Sequence, residues 1–132
     1  MKTSRRMLAV VVCMVMVLSM AVVASAAASK LFFNKSSGGY QCTGRGTIDG
    51  NVATATFSAT EIPLKPVIPS EACTSTIYVL AYDTAGNYMG AATSDGNVNA
   101  YAYYRANLNV GKSYCSFEFN GADLGSYILA NN

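Results

Sequence analysis

The sequence predicts an all-β fold: an antiparallel two-sheet β-sandwich of about seven to eight short strands, behind an N-terminal signal peptide. Three observations predict it. From Ser29 to Asn132 no stretch of about ten residues carries helical apolar spacing. Short runs rich in Tyr, Val, Thr, Phe and Ala alternate with Gly, Asn and Asp pairs, the composition of strands broken by turns. A flat sheet of seven such strands would leave one apolar face wet, whereas two packed sheets bury both inner faces.

The leader comes first. Lys2, Arg5 and Arg6 form a positive start, and Met7 to Val23 is an uncharged, mainly apolar run. Ala24-Ser25-Ala26 and Ala26-Ala27-Ala28 then offer small residues for signal peptidase. Residues 1–28 are thus read as a signal peptide cut after Ala26 or Ala28. The competing reading is an uncleaved anchor, but the apolar run is shorter than the roughly 20 residues of a membrane span. Cys13 follows Val12 and lies too early for a lipoprotein site, so it leaves with the leader. Residues 29–132 form a single small domain, a length that suits one core.

Strands are expected near 39–48, 52–60, 74–83, 87–94, 98–108, 113–119 and 124–130, with room for a short one at 30–34. Asp49-Gly50-Asn51 and Asp95-Gly96-Asn97 supply the positive-φ residues of tight hairpins. Asp83 to Asn87 fits a longer hairpin loop, and Asn109 to Lys112 and Asn120 to Asp123 close two more turns. The two Asp-Gly-Asn segments echo each other 46 residues apart, which reads as convergence on a good turn, since their flanks differ. Pro63, Pro66 and Pro69 recur at every third residue. They favour an extended crossover without ladder donors.

Period-2 alternation assigns the faces. Val98, Ala100, Ala102, Tyr104, Ala106 and Leu108 are expected inside, with Asn99, Tyr101, Tyr103, Arg105 and Asn107 outside. Cys115, Phe117 and Phe119 point together, as do Ala53, Ala55, Phe57 and Ala59. The run Ile77 to Tyr82 is apolar on both faces and is expected to be central and covered on both sides.

Three cysteines remain behind the leader, which permits one internal bridge. Tracing the turns puts Cys73 and Cys115 at opposite ends of the later strands, too far apart for the roughly 7 Å Cα limit. Cys42–Cys73 and Cys42–Cys115 remain, and Cys42–Cys73 is preferred because both flank strand boundaries while Cys115 fits a buried thiol beside Phe117.

Composition excludes several functions. Behind the leader, six basic residues stand against seven acidic ones, a net charge of −1. The basic excess of the full chain belongs to the leader, so nucleic-acid binding and anionic-membrane binding lose their electrostatic basis, and no stable membrane insertion is expected after cleavage. Histidine is absent, which removes the commonest general base and most zinc sites. Asp49, Asp83, Asp95 and Asp123 sit in expected turns, where backbone demands explain them. Asp95, Asn97 and Asn99 imitate the start of a calcium loop without its glycine or distal Glu. No cofactor, metal or catalytic residue is assigned. Asn34-Lys35-Ser36 is a glycosylation sequon, relevant only in a eukaryotic source.

All nine tyrosines lie behind the leader, and tryptophan is absent. Tyr101 and Tyr103, with Asn99, Arg105 and Asn107, form an outward strip suited to stacking on sugar rings or partner side chains. Tyr78, Tyr82 and Tyr88 read as structural. The function expected is a secreted, non-catalytic module, extracellular or at the cell surface (periplasmic in a diderm bacterium). It recognises a cell-wall or cell-surface polysaccharide or an extracellular protein through that strip. Alternatives are a self-assembling surface or matrix protein, in which a homo-oligomer forms by strand-edge pairing, and a small bacteriocin, toxin or inhibitor.

Overall fold

The computed structural model describes residues 27–65 and 67–131. The predicted signal peptide falls outside them except for Ala27 and Ala28, and so does Pro66. The described chain is all-β and forms two antiparallel four-stranded sheets packed face to face. Its strands are β1 (Ala28–Ser37), β2 (Tyr40–Asp49), β3 (Val52–Glu61), β4 (Ser75–Asp83), β5 (Tyr88–Gly96), β6 (Asn99–Arg105), β7 (Val110–Phe119) and β8 (Ala122–Ala130). Sheet A has the order β1-β2-β3-β6 and sheet B the order β5-β4-β7-β8.

Turn chemistry makes the hairpins. At Gly50-Asn51 only the first central residue has positive φ (59°), the pattern of a type II′ turn. At Asn120-Gly121 both do, at 50° and 80°, the pattern of type I′. In the β4–β5 loop, Asp83 accepts backbone N–H bonds from Ala85 and Asn87 at 2.9 and 2.8 Å. Those donors, Asn87 first, hold its carboxyl below the usual carboxylate range.

The second Asp-Gly-Asn segment behaves differently from the first. Gly96 closes β5, and Asn97-Val98 leads to β6 in the other sheet. The expected hairpin is a sheet-to-sheet corner, because Asn97 donates its side-chain amide to the Cys73 and Glu71 carbonyls at 2.9 and 3.3 Å. Sequence-local turn propensity has yielded to tertiary hydrogen bonding. The 62–74 segment is a second crossover, from β3 to β4, and residues 106–109 make a third, from β6 to β7. The extended path of 62–74 is broken by a turn at Ile62–Lys65, with Leu64 at φ 66°, and by the 3₁₀ turn Ser70–Ala72.

β1 is longer than the short strand expected. Its consecutive phenylalanines break period-2 alternation, and the break is absorbed by a register shift between Leu31 and Phe33 against β2. That bulge turns both rings inward. Phe33 packs edge-on to Phe117 at 5.1 Å, and Phe32 stacks on Tyr127 at 5.2 Å. Room for the rings comes from Gly44 and Gly46 on β2. A Cβ at Gly44 would lie 2.3 Å from the Phe33 ring, and one at Gly46 would lie 2.6 Å from the Phe32 ring.

Elsewhere the core is built by alternation. Ala53, Ala55 and Phe57 of β3 face Ile77, Val79 and Ala81 of β4 and Phe117 and Phe119 of β7. Ala100, Ala102 and Ala106 are buried as expected, but Leu108 is 60 % exposed. β6 stops at Arg105, so Leu108 lies in the loop to β7 rather than on the inner face. Tyr104 reaches from β6 across to β5, where its hydroxyl donates to the Met89 carbonyl at 2.8 Å. The run Ile77 to Tyr82 is central, between β5 and β7, yet it is covered on its inner side only.

The predicted Cys42–Cys73 bridge is not formed. Cys42, Cys73 and Cys115 are all free thiols and all buried. Each sulfur is turned to a partner of its own. Cys42 Sγ donates to the Tyr40 carbonyl at 3.9 Å. Cys73 Sγ lies 3.6 and 3.4 Å from the Ile68 and Pro69 carbonyls and accepts from the Asn120 amide at 3.7 Å. Cys115 lies 4.0 Å from Ser113 Oγ. Cys115 pairs with Val79, so along the ladder it stands about 20 Å from Cys73.

Candidate functional site

The predicted surface strip lies on the outer face of sheet A, on its edge strand β6. Asn99, Tyr101, Tyr103 and Arg105 all point outward and are exposed, with Tyr101 at 54 % and Tyr103 at 43 %. Their placement follows from alternation against Ala100, Ala102 and Tyr104. The β3–β6 register then sets their neighbours: Asn99 opposite Ser58, Tyr101 opposite Thr56, Tyr103 opposite Thr54 and Arg105 opposite Val52.

Those neighbours extend the strip into a groove. An open depression of about 650 Å³ is lined by Leu31 of β1, Thr43 and Arg45 of β2, Thr56, Phe57 and Ser58 of β3, and Asn99, Ala100 and Tyr101 of β6. It crosses all four strands, a span of about 14 Å at the usual inter-strand spacing. Its lining is hydroxyl, amide and guanidinium, with Leu31 and the Tyr101 ring supplying apolar contact at opposite strands. Arg45 is steadied by a hydrogen bond from its Nη1 to Ser29 Oγ at 3.1 Å.

The predicted residues separate into three groups. Asn99 and Tyr101 line the groove. Tyr103 and Arg105 continue along β6 beyond it and are engaged with each other. Arg105 Nε donates to the Tyr103 hydroxyl at 3.0 Å, and its guanidinium carbon lies 6.0 Å from the ring centroid. Asn107 lies past the end of β6, in the loop, and does not line the groove. Tyr103 covers Thr54, which is 8 % exposed and whose hydroxyl bonds that of Thr47.

Sequence reasoning missed Leu31, Thr43, Arg45, Thr56 and Ser58. The alternation of β3 did place Thr56 and Ser58 on the outer face. Their meeting with Tyr101 and Asn99 depends on a pairing between strands about 40 residues apart, for which the local sequence carries no signal.

The ionisable groups among the lining residues are the Arg45 guanidinium and the Tyr101 phenol. Its hydroxyl, amide and guanidinium groups can hydrogen-bond, and the Tyr101 ring can stack.

No protein-family model matches the chain, and no curated protein is similar to it at a significant level.

Proposed function

We propose that this chain is an exported, non-catalytic binding module that recognises a cell-wall or cell-surface polymer through the outer face of sheet A. The observation that carries the reading is the open groove across the four strands, with an exposed Tyr101 ring at one side and a floor of hydroxyls. Rings that stack on sugar faces, beside short polar side chains that hydrogen-bond hydroxyls, are the recognition chemistry of a neutral polysaccharide. An open, shallow groove admits a chain in mid-length, whereas a closed pocket selects a small molecule. The leader and its small-residue exit support export. β1 begins at Ala28, which pairs with Ile48, so cleavage after Ala26 leaves that pair whole.

The test is co-sedimentation of the purified chain with insoluble cell-wall polymer from the source organism. One aromatic stacking contact is worth about 1 kcal/mol, so Tyr101→Ala weakens binding roughly fivefold. Arg45→Ala weakens it further, and Tyr88→Ala on the opposite sheet leaves it unchanged. Folded Tyr101→Ala and Arg45→Ala variants that bind as the wild type does would sink the assignment.

A further inference from the structure

The outer face of sheet B was expected to be covered, and in this chain it is open. Tyr78 is 44 % exposed, Tyr88 59 % and Ile128 50 %. Leu80, Tyr82 and Tyr114, half-buried, complete one apolar surface with them. The rings are organised: Tyr82 meets Tyr88 at 5.7 Å and Tyr114 at 5.4 Å, both edge-on. A contiguous aromatic face on an exported domain marks an interaction surface.

Charge tells which partner fits. At one end Lys112 of β7 stands beside Tyr82, its Nζ 5.1 and 5.2 Å from the Tyr82 and Tyr114 ring centroids. At the other end Glu118, also on β7, stands beside Thr76, flanked by Asp95 and Asp123. Asp95 is held in place by the Thr76 hydroxyl at 2.8 Å. Among the described residues no group of carboxylates is arranged to hold a metal ion. Between a positive and a negative end about 20 Å apart, the face thus carries rings and aliphatic side chains with the Thr93, Ser116 and Ser126 hydroxyls among them.

We propose that the occupant of this face is a second copy of the chain, in an antiparallel, isologous dimer. The midpoint between Lys112 and Glu118 on β7 is Cys115, and its ladder partner is Val79. A two-fold axis lying in the interface at that level, perpendicular to the strands, keeps β7 over β7 and reverses its direction. It places each Lys112 over the other copy's Glu118, and each Tyr78 over the other copy's Leu80. The parallel alternative sets Lys112 against Lys112 and Glu118 against Glu118, so the charges select one orientation. Four strands by seven residues give a face of roughly 19 by 23 Å. That is about 440 Å² per copy, the size of a weak, transient interface and not of a permanent one, so the dimer is concentration-dependent.

The chain is expressed with its own leader, purified as the host processes it, and kept in reductant. Its mass is followed by sedimentation equilibrium from about 1 to about 500 µM. Wild type passes from monomer to dimer. Lys112→Glu and Glu118→Lys each raise the dissociation constant at least tenfold while circular dichroism stays native, and the double charge reversal restores the dimer. A strictly monomeric wild type overturns the proposal, as does a folded double variant no tighter than the single ones. Soluble oligosaccharides that perturb Tyr78 and Tyr114 while the mass stays monomeric would reassign the face to sugar binding. Tyr101→Ala leaves the monomer–dimer equilibrium unchanged, so failure of the polymer-binding reading and failure of this one are told apart.

Discussion

Gly44→Ala is the sharpest test of how the two sheets are joined. Gly44 lies on the inner face of β2, opposite Phe33 of β1. An added Cβ would stand 2.3 Å from Phe33 Cε1 and 2.7 Å from Cζ, where ordinary contact begins near 3.4 Å. The ring must therefore retreat by about 1 Å, in a core where a shift of that size is felt. It has little freedom to do so. Phe33 is 8 % exposed and is bounded by Phe117 at 5.1 Å and Tyr127 at 5.5 Å. Replacing an unstrained glycine by alanine stabilises by about 0.4–1 kcal/mol through the unfolded chain, while overpacking a filled core costs about 1–3 kcal/mol. Overpacking wins here, for a net loss of about 1–2 kcal/mol and a fall in Tm of about 5–15 °C for a domain of this size.

Urea denaturation followed by circular dichroism measures the loss. Phe33→Leu supplies the control. Alone it leaves a void and destabilises, but beside Gly44→Ala it frees the space that the methyl needs. The double variant is then at least about 1 kcal/mol more stable than the sum of the single effects. A neutral or stabilising Gly44→Ala, or strictly additive single changes, would refute the idea that glycine on β2 seats the β1 rings.

Burial pushes the Cys115 thiol up to about 11, whereas the unfolded thiol ionises near about 8.5. In that window the folded chain holds a proton that the unfolded chain has lost, so stability falls as pH rises. Urea melts in reductant should lose roughly 2–3 kcal/mol from this group between about pH 8 and 11, a share of the slope that Cys115→Ala removes. Tyr104→Phe deletes the hydroxyl that donates to the Met89 carbonyl and so unties β6 from β5. Its expected cost is about 1 kcal/mol in the same assay, and an unchanged midpoint would show that the bond contributes nothing.

Legibility in the sequence followed the range of the forces involved. Alternation in β3 and β7 was readable because side chains on successive residues must oppose each other, and the inner set Cys115, Phe117 and Phe119 stands as read. The Asn120-Gly121 turn was readable because its two positive-φ positions name their residues. β1 was undersized because a bulge defeats a period-2 count. The Asp95 turn misled because its outcome rests on Asn97 reaching Cys73, 24 residues away. The cysteines misled for a related reason: strand boundaries do not reveal where a sulfur points, and each lies free among partners of its own. Of the groove, Asn99 and Tyr101 were visible as part of a strip on one strand. Leu31, Thr43, Arg45, Thr56 and Ser58 required the register of four strands, which no single strand encodes.

The two outer faces carry different chemistry on a shared core, and their positions constrain each other. Sheet A presents hydroxyls, Arg45 and one line of rings along its edge strand. Sheet B presents packed rings between opposite charges. Pairing through sheet B buries the second face and turns both sheet A grooves outward, on opposite sides of a four-sheet stack. With sheets about 10 Å apart, the two grooves lie about 30 Å from each other and face away. Two sites facing in opposite directions cannot both settle on one flat polymer surface, so the dimer gains no avidity there. Under the two proposals together it would join two polymer strands instead. Weakening the dimer through Lys112 or Glu118 therefore abolishes cross-linking while leaving the affinity of each groove intact. Removing Tyr101 does the reverse, lowering affinity with the dimer unchanged. The proposed roles of the two faces thus stand or fall by separable measurements on one small domain.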